Sequence, residues 1–201
     1  MAEVRFTETM RGWVAPAPGT DAPPAAGSGA RSGAAAAFTL TVITPDVGAM
    51  VADPDHRSPA FGVVECPSLC AAPLAVYAGH LDLFADAAPG VVHMRYRLEL
   101  GAPDGARYTL RGVKVVARRR WFPTVLVDTT TLFVELWRGA DEGPPALRGV
   151  LTMGPAAVLA QGLTFRGAPG AIVRFMSYYV RRCVQVYLGP RTAADRPQWR
   201  A

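Results

Sequence analysis

The chain has 201 residues, half of them hydrophobic and 18% charged, which is enough for one domain with a sizeable core and excludes a disordered polymer. Its net charge of +5 rests almost wholly on arginine, Lys114 being the only lysine among 21 Lys and Arg residues. Heavy use of Ala, Gly, Pro and Arg accompanies GC-rich bacterial genes, so the basic balance alone does not argue for a nucleic-acid partner.

The first element, "VRFTETMRGW" from Val4 to Trp13, reads as a β-strand. Phe6, Glu8 and Met10 share one face, and Arg5, Thr7, Thr9 and Arg11 share the other, because strand side chains alternate. The uniformly polar face belongs in water, so the opposite face carries Glu8 into the core. Residues 15–37 are rich in Ala, Pro and Gly and read as a flexible loop and candidate lid. They do not read as a domain linker, since a lone preceding strand cannot stand by itself.

"AFTLTVIT" (Ala37 to Thr44) alternates as a strand, and "PDVGAMVADPDHRSPAFG" reads as a long turn-rich connection. "FGVVECP" and "LAVYAGHLDLFAD" are further strands, the second bent at Gly79. "GVVHMRYRLELGAPDGARYTLRGVKVVAR" is two alternating runs around Pro-Asp-Gly, a β-hairpin. "VLVDTTTLFVELWRG" reads as one long strand with Asp128, Thr130, Leu132, Val134 and Leu136 on a common face, and "ALRGVLTMG" as the last strand. Eight to ten strands with short connections define a mainly β domain, a sandwich or a closed antiparallel barrel spanning 1–201.

Pro155 opens a short helix, and 169–189 is an amphipathic helix closed by Gly189-Pro190. Its wheel places Ile172, Phe175, Met176, Tyr179, Cys183 and Val186 on one arc and Arg174, Ser177, Arg181 and Gln185 opposite. A membrane-surface helix and a cover over one mouth or wall of the barrel both fit this pattern, and the cover is the favoured reading.

The N-terminus lacks a signal-peptide pattern and no apolar run is long enough to span a bilayer, so the expectation is a cytoplasmic protein without membrane insertion. Three cysteines argue against a disulfide framework, and Cys66 and Cys70 lack a second pair for zinc. His56, His80 and His93 have no ligand spacing, and no phosphate-binding glycine motif or nucleophile elbow is present. "RRRW" (Arg118 to Trp121) reads as a solvated hairpin end. The expectation is therefore no metal, no cofactor and no nucleic acid, with a homodimer left open.

A barrel of this size is either filled by side chains or holds one small ligand. The apolar face of "VVHMRYRLEL" puts Met94 and Tyr96 inside, and Met10, Met94 and Met153 suit an adaptable lining. Three polar groups are directed to the same interior: Glu8, Lys114 (beside Leu110, Gly112 and Val116) and, at the rim, Asp128 or its threonine neighbours. A buried carboxylate needs a cation or several donors. Two readings stand: a structural Glu8 pair with Lys114 or an arginine, or a polar handle that polarises a ligand or moves a proton.

"FTETMRG", "FTLTV", "ADPDHRSPAFGVVECP", "MRYRLEL", "DTTTLFVELWRG", "LTFRG" and "RFMSYYVRRCVQVYLG" resemble a β-barrel region attached to actinobacterial cholesterol-oxidase-like GMC flavoproteins. The flavin fingerprint of those proteins is absent. In size, architecture and composition the free-standing chain is similar to the β-barrel [4+2] cyclases of tetronate and polyether biosynthesis. These resemblances imply a calycin-like barrel that folds a linear polyketide without a cofactor, with Glu8 or Tyr96 as hydrogen-bond donor. Phe6, Met10, Met94, Trp121, Phe133 and Met153 would be apolar contacts, and Lys114 and Asp128 polar ones. The alternative they imply is a non-catalytic lipid- or sterol-binding module beside a separate oxidoreductase.

Overall fold

The computed structural model describes residues 2–17, 33–88, 90–117 and 124–188, with 124–126 as backbone alone. Eight strands run in chain order around a closed antiparallel barrel: β1 (Val4–Pro16), β2 (Ala34–Thr44), β3 (Arg57–Cys66), β4 (Cys70–Ala88), β5 (Val91–Gly101), β6 (Arg107–Ala117), β7 (Thr131–Arg138) and β8 (Leu147–Thr152). Each strand pairs with its neighbour in sequence, and β1 closes the ring by pairing with both β2 and β8. The ring is thereby closed, and outside a short stretch of β1 the edges of an open sheet are removed.

Alternation does the sorting. On β5, Val92, Met94, Tyr96, Leu98 and Leu100 are buried while His93, Arg95, Arg97 and Glu99 face out. On β1, Phe6, Glu8 and Met10 point inward as the pattern requires. The β5–β6 hairpin turns at Gly105, whose positive φ of 87° suits the glycine, with the Asp104 carboxylate accepting from the Ala106 N–H at 3.0 Å. At the β1–β8 seam a Cβ on Gly12 or Gly149 would run into the other strand's backbone, so close approach there depends on both glycines.

Three expectations need correction. The loop read over 15–37 is shorter: Ala15 and Pro16 belong to β1, and Ala34–Ala37 lie opposite Val14–Arg11 as part of β2. Residues 18–32 lie outside the described residues. The connection after Pro45 contains α1 (Val47–Ala52), capped by Asp46, whose carboxylate accepts from Gly48 and Ala49 N–H groups at 2.8 and 3.1 Å. And "VLVDTT" is not strand: α2 (Thr124–Thr130) precedes β7, so Asp128 does not share the inward face of Leu132, Val134 and Leu136. The β-branched residues there favour strand locally, and packing against β6 overrides them.

The helices gather at one end of the barrel, because the connections that leave there carry α1, α2 and the chain beyond β8. That last stretch holds α3 (Pro155–Gly162), the two-residue β9 (Arg166–Gly167) and α4 (Pro169–Leu188). The opposite end is closed by tight hairpins at Pro67–Leu69 and Ala102–Ala106. β8 accompanies β1 only from Arg11 to Pro16, and β9 pairs with Val4 and Arg5. Between them the Thr164 hydroxyl accepts from the Thr7 N–H at 2.8 Å, and its one hydrogen lies between the Gln161 carbonyl at 2.7 Å and the Thr7 carbonyl at 3.2 Å. A threonine side chain thus stands in for a strand beside Glu8.

α4 lies over this helical end. Phe175 packs on Phe6 with centroids 5.8 Å apart, and Tyr178 donates to the Leu83 carbonyl at 3.2 Å. Arg182 reaches the Phe84 carbonyl at 2.6 Å. The irregular end of β4, with Phe84 at φ 52°, is what turns these carbonyls toward the helix. The buried arc keeps Phe175 and Val186, with Tyr179, Ile172 and Cys183 half-buried, but Met176 is on the exposed side and Tyr178 and Tyr187 are buried instead. Gly189-Pro190 lies outside the described residues.

Candidate functional site

Glu8 sits on β1, and β5 stands four strands away around the ring, on the far wall of the barrel. Glu8 and Tyr96 bridge that interior. The Tyr96 hydroxyl donates to Glu8 Oε2 at 3.0 Å and Oε1 at 3.2 Å, and Lys114 Nζ on β6 donates to Oε1 at 2.5 Å. The ammonium also lies 5.3 Å from the centroid of the Tyr96 ring. Register makes the meeting possible: Met94 is opposite Lys114, and Tyr96 is opposite Gly112. The Glu8 and Lys114 side chains are each only 3% exposed.

The surroundings are apolar: Met10, Met94, Phe38, Leu98 and Leu110 are all buried in the same core. Tyr96 stacks at a tilt on Phe38, centroids 5.9 Å apart. Burial first, then the negative charge of Glu8 and the hydrogen bond to it, push the Tyr96 hydroxyl well above its usual range. The phenol is therefore a hydrogen-bond donor at any ordinary pH. Lys114 has three ammonium hydrogens, and among the described residues Glu8 is its one hydrogen-bond acceptor.

A second polar layer lies above, between α2 and α4. The Tyr187 hydroxyl donates to Asp128 Oδ2 at 2.8 Å, and Asp128 is buried. Tyr179 points its hydroxyl inward from α4. Burial and the neighbouring Cys183 raise its pKa, a hydrogen bond with Thr129 lowers it, and the charge of Glu8 below raises it further. Burial also raises the Cys183 thiol to about 11, which leaves it a protonated, unreactive group.

The residues singled out from sequence divide clearly. Glu8, Tyr96 and Lys114 come together in one hydrogen-bonded triad, with Phe6, Met10 and Met94 buried in the same interior. Met153 is buried just past the end of β8 and not on the strand. Asp128 belongs to the helical layer through Tyr187 and not to a strand rim. Phe133 faces outward from β7 and lines a groove of about 490 Å³ on the outer wall with His80, Arg97 and Arg111, so it is no interior contact. Trp121 and the rest of Arg118–Trp121 lie outside the described residues. Sequence alone pointed to Asp128 or its threonine neighbours, among them Thr129, but missed Tyr187; tyrosines recurring on the helix beside Cys183 were the available signal.

The described residues contain no group of three or more His, Cys, Asp or Glu side chains able to hold a metal ion, and no helix among them is long and apolar enough to cross a membrane. Fold and site together define an eight-stranded meander barrel whose apolar interior is crossed by a carboxylate–ammonium–phenol triad under a helical cover. No protein-family model, curated protein or solved structure matches the chain.

Proposed function

We propose that the barrel interior binds one bulky, largely apolar small molecule and folds it for a cofactor-independent cyclisation of [4+2] type, the molecule being a linear polyketide. The observation that carries this reading is the triad. A buried ion pair in an apolar core contributes no more stability than well-packed apolar residues of the same volume, and often less. Lys114 also retains donors that Glu8 does not use. A carbonyl oxygen entering beside Lys114 would take a further ammonium hydrogen, while the single Tyr96 O–H stays on Glu8, in a water-poor interior where charge developing on that oxygen is stabilised most. The walls would do the rest by holding a flexible chain in a reactive conformer.

Entry requires side chains to give way, since the triad groups are almost inaccessible in this closed state. Met10 and Met94 are the adaptable part of the wall, and α4 with its aromatic side chains is the cover that must lift. One observation favours the second reading, a lipid- or sterol-binding barrel without chemistry: Glu8 is already neutralised by Lys114 and is no free base.

Native mass spectrometry of freshly purified protein, followed by extraction and identification of the bound molecule, tests both. An apolar molecule carrying a carbonyl is the expected finding. A cyclised skeleton supports the cyclase, and an intact sterol or acyl lipid supports the carrier. An empty protein that also fails to take up lipophilic probes would overturn both.

A further inference from the structure

Among the described residues, seven of the twelve exposed large hydrophobic side chains lie on the helices that cap one end of the barrel, and an eighth, Leu163, is the C-cap of α3. Five belong to α4: Val173, Met176, Val180, Val184 and Leu188. Spaced by three, four, four and four residues, they form one stripe about 22 Å long, on the side of the helix turned away from the barrel. Val173 and Leu188 at its two ends are each 64% exposed, so the stripe is open along its whole length. α3 adds Leu159, its C-cap residue Leu163 stands beside it, and α2 adds Val127.

The helices of this face carry only basic charges from Met153 onward, and the acidic groups beside them, Asp46 at the start of α1 and Asp86 on β4, come from the barrel side. From Met153 to Leu188 the chain has four arginines and no Asp or Glu. Arg174 and Arg181 are exposed and adjoin the stripe on the wheel, and Arg182 is held by Phe84 and Asp86 at the barrel rim. An apolar stripe edged by arginine on a convex helix is the pattern that lies in the plane of an anionic lipid surface, with the apolar side chains at the acyl boundary and the guanidinium groups among the phosphates. A second copy fits less well: two-fold pairing of antiparallel α4 helices along the stripe sets the arginine flank of one against that of the other.

We propose that the α4 face is a docking surface for an anionic lipid membrane, at which the protein is held peripherally with the covered end of the barrel toward the lipid. This stands without the ligand reading of the interior.

Co-sedimentation of the full chain with vesicles of mixed phosphatidylglycerol and phosphatidylcholine, against vesicles of phosphatidylcholine alone, tests it. The expected result is binding to the mixed vesicles that weakens with salt. Arg174→Gln with Arg181→Gln should lower the partition coefficient about thirtyfold, from about fivefold for each charge near the surface. Val180→Asp should lower it by about tenfold or more. Both changes lie on exposed positions, and near-UV circular dichroism together with lipophilic-probe uptake reports on the barrel separately. No binding to the mixed vesicles, or binding unchanged in both variants, overturns the proposal. So does a solution dimer that Val180→Asp dissociates without vesicle binding in either form, which would make the stripe an interface between copies.

Discussion

Carboxylates meet cations in two regions of this molecule, and the two are built to different rules. On the outer wall, Asp82 accepts from Arg57 at 2.8 Å and lies 3.4 Å from Arg95, which also binds Asp55 at 2.8 Å. Beside them Arg97 and Arg111 are direct cross-strand partners, a repulsive placement that Asp141 relieves by binding both. These four arginines remain 42–48% exposed, so each has water to fall back on. In the interior, Glu8, Lys114 and Tyr96 have only one another and apolar neighbours. The difference teaches that the wall network is adjustable and salt-dependent, whereas the interior triad is all-or-nothing: complete it is tolerated, broken it is costly.

The sharpest way to break that contrast is to remove one interior partner. Lys114→Met strands Glu8 in the core and should lower stability by about 3–5 kcal/mol, read as a shift of the urea midpoint at constant slope. Next comes the helical layer: Tyr187→Phe takes a donor from the buried Asp128 carboxylate and should cost about 1.5–3 kcal/mol in the same assay.

The third effect is in pH. Tyr96, Tyr178, Tyr179 and Tyr187, four of the six tyrosines, all have pKa values raised chiefly by burial. Above pH 10 the unfolded chain has released phenol protons that the native chain still holds, so stability falls as pH rises from there and is unaffected by these groups below. Each such tyrosine contributes about 1.4 kcal/mol of loss per pH unit. Equilibrium unfolding between pH 9 and 11.5, with phenolate absorbance followed alongside, should show the four ionising only as the chain unfolds. The smallest effect belongs to the wall: Asp82→Asn should cost about 1 kcal/mol, and high salt should shrink that difference while leaving the Lys114→Met penalty intact.

Much of the interior was legible because it follows period 2. Glu8 between Phe6 and Met10, and Lys114 between Gly112 and Val116, sit on faces that alternation alone directs inward, and the only lysine of an arginine-rich chain marks itself out. What alternation cannot report is which wall faces which, so the pairing with Tyr96 across the barrel emerged only from the ring order. The second layer was hidden for other reasons. "VLVDTT" carries strong strand propensity, and only its tertiary packing makes it helical and brings Asp128 to Tyr187. α4 carries apolar side chains on two arcs, so its wheel could not decide between the arc that packs on the barrel and the stripe that faces out, and Met176 fell on the wrong side. The ends of the Ala-rich segment were read as loop because alanine carries little strand signal, yet Ala34–Ala37 are held by the ladder to β1.

On the proposed function the triad is kept for a ligand and not for stability. The variant Glu8→Leu/Tyr96→Phe/Lys114→Met removes all three polar groups at similar volume and strands none, and its unfolding free energy and probe binding should be measured side by side with the native chain. The account predicts a fold as stable as the native one, or up to about 4 kcal/mol more so, that no longer binds carbonyl-bearing apolar molecules. A variant that is clearly less stable, or one that binds those molecules as tightly as before, would contradict it.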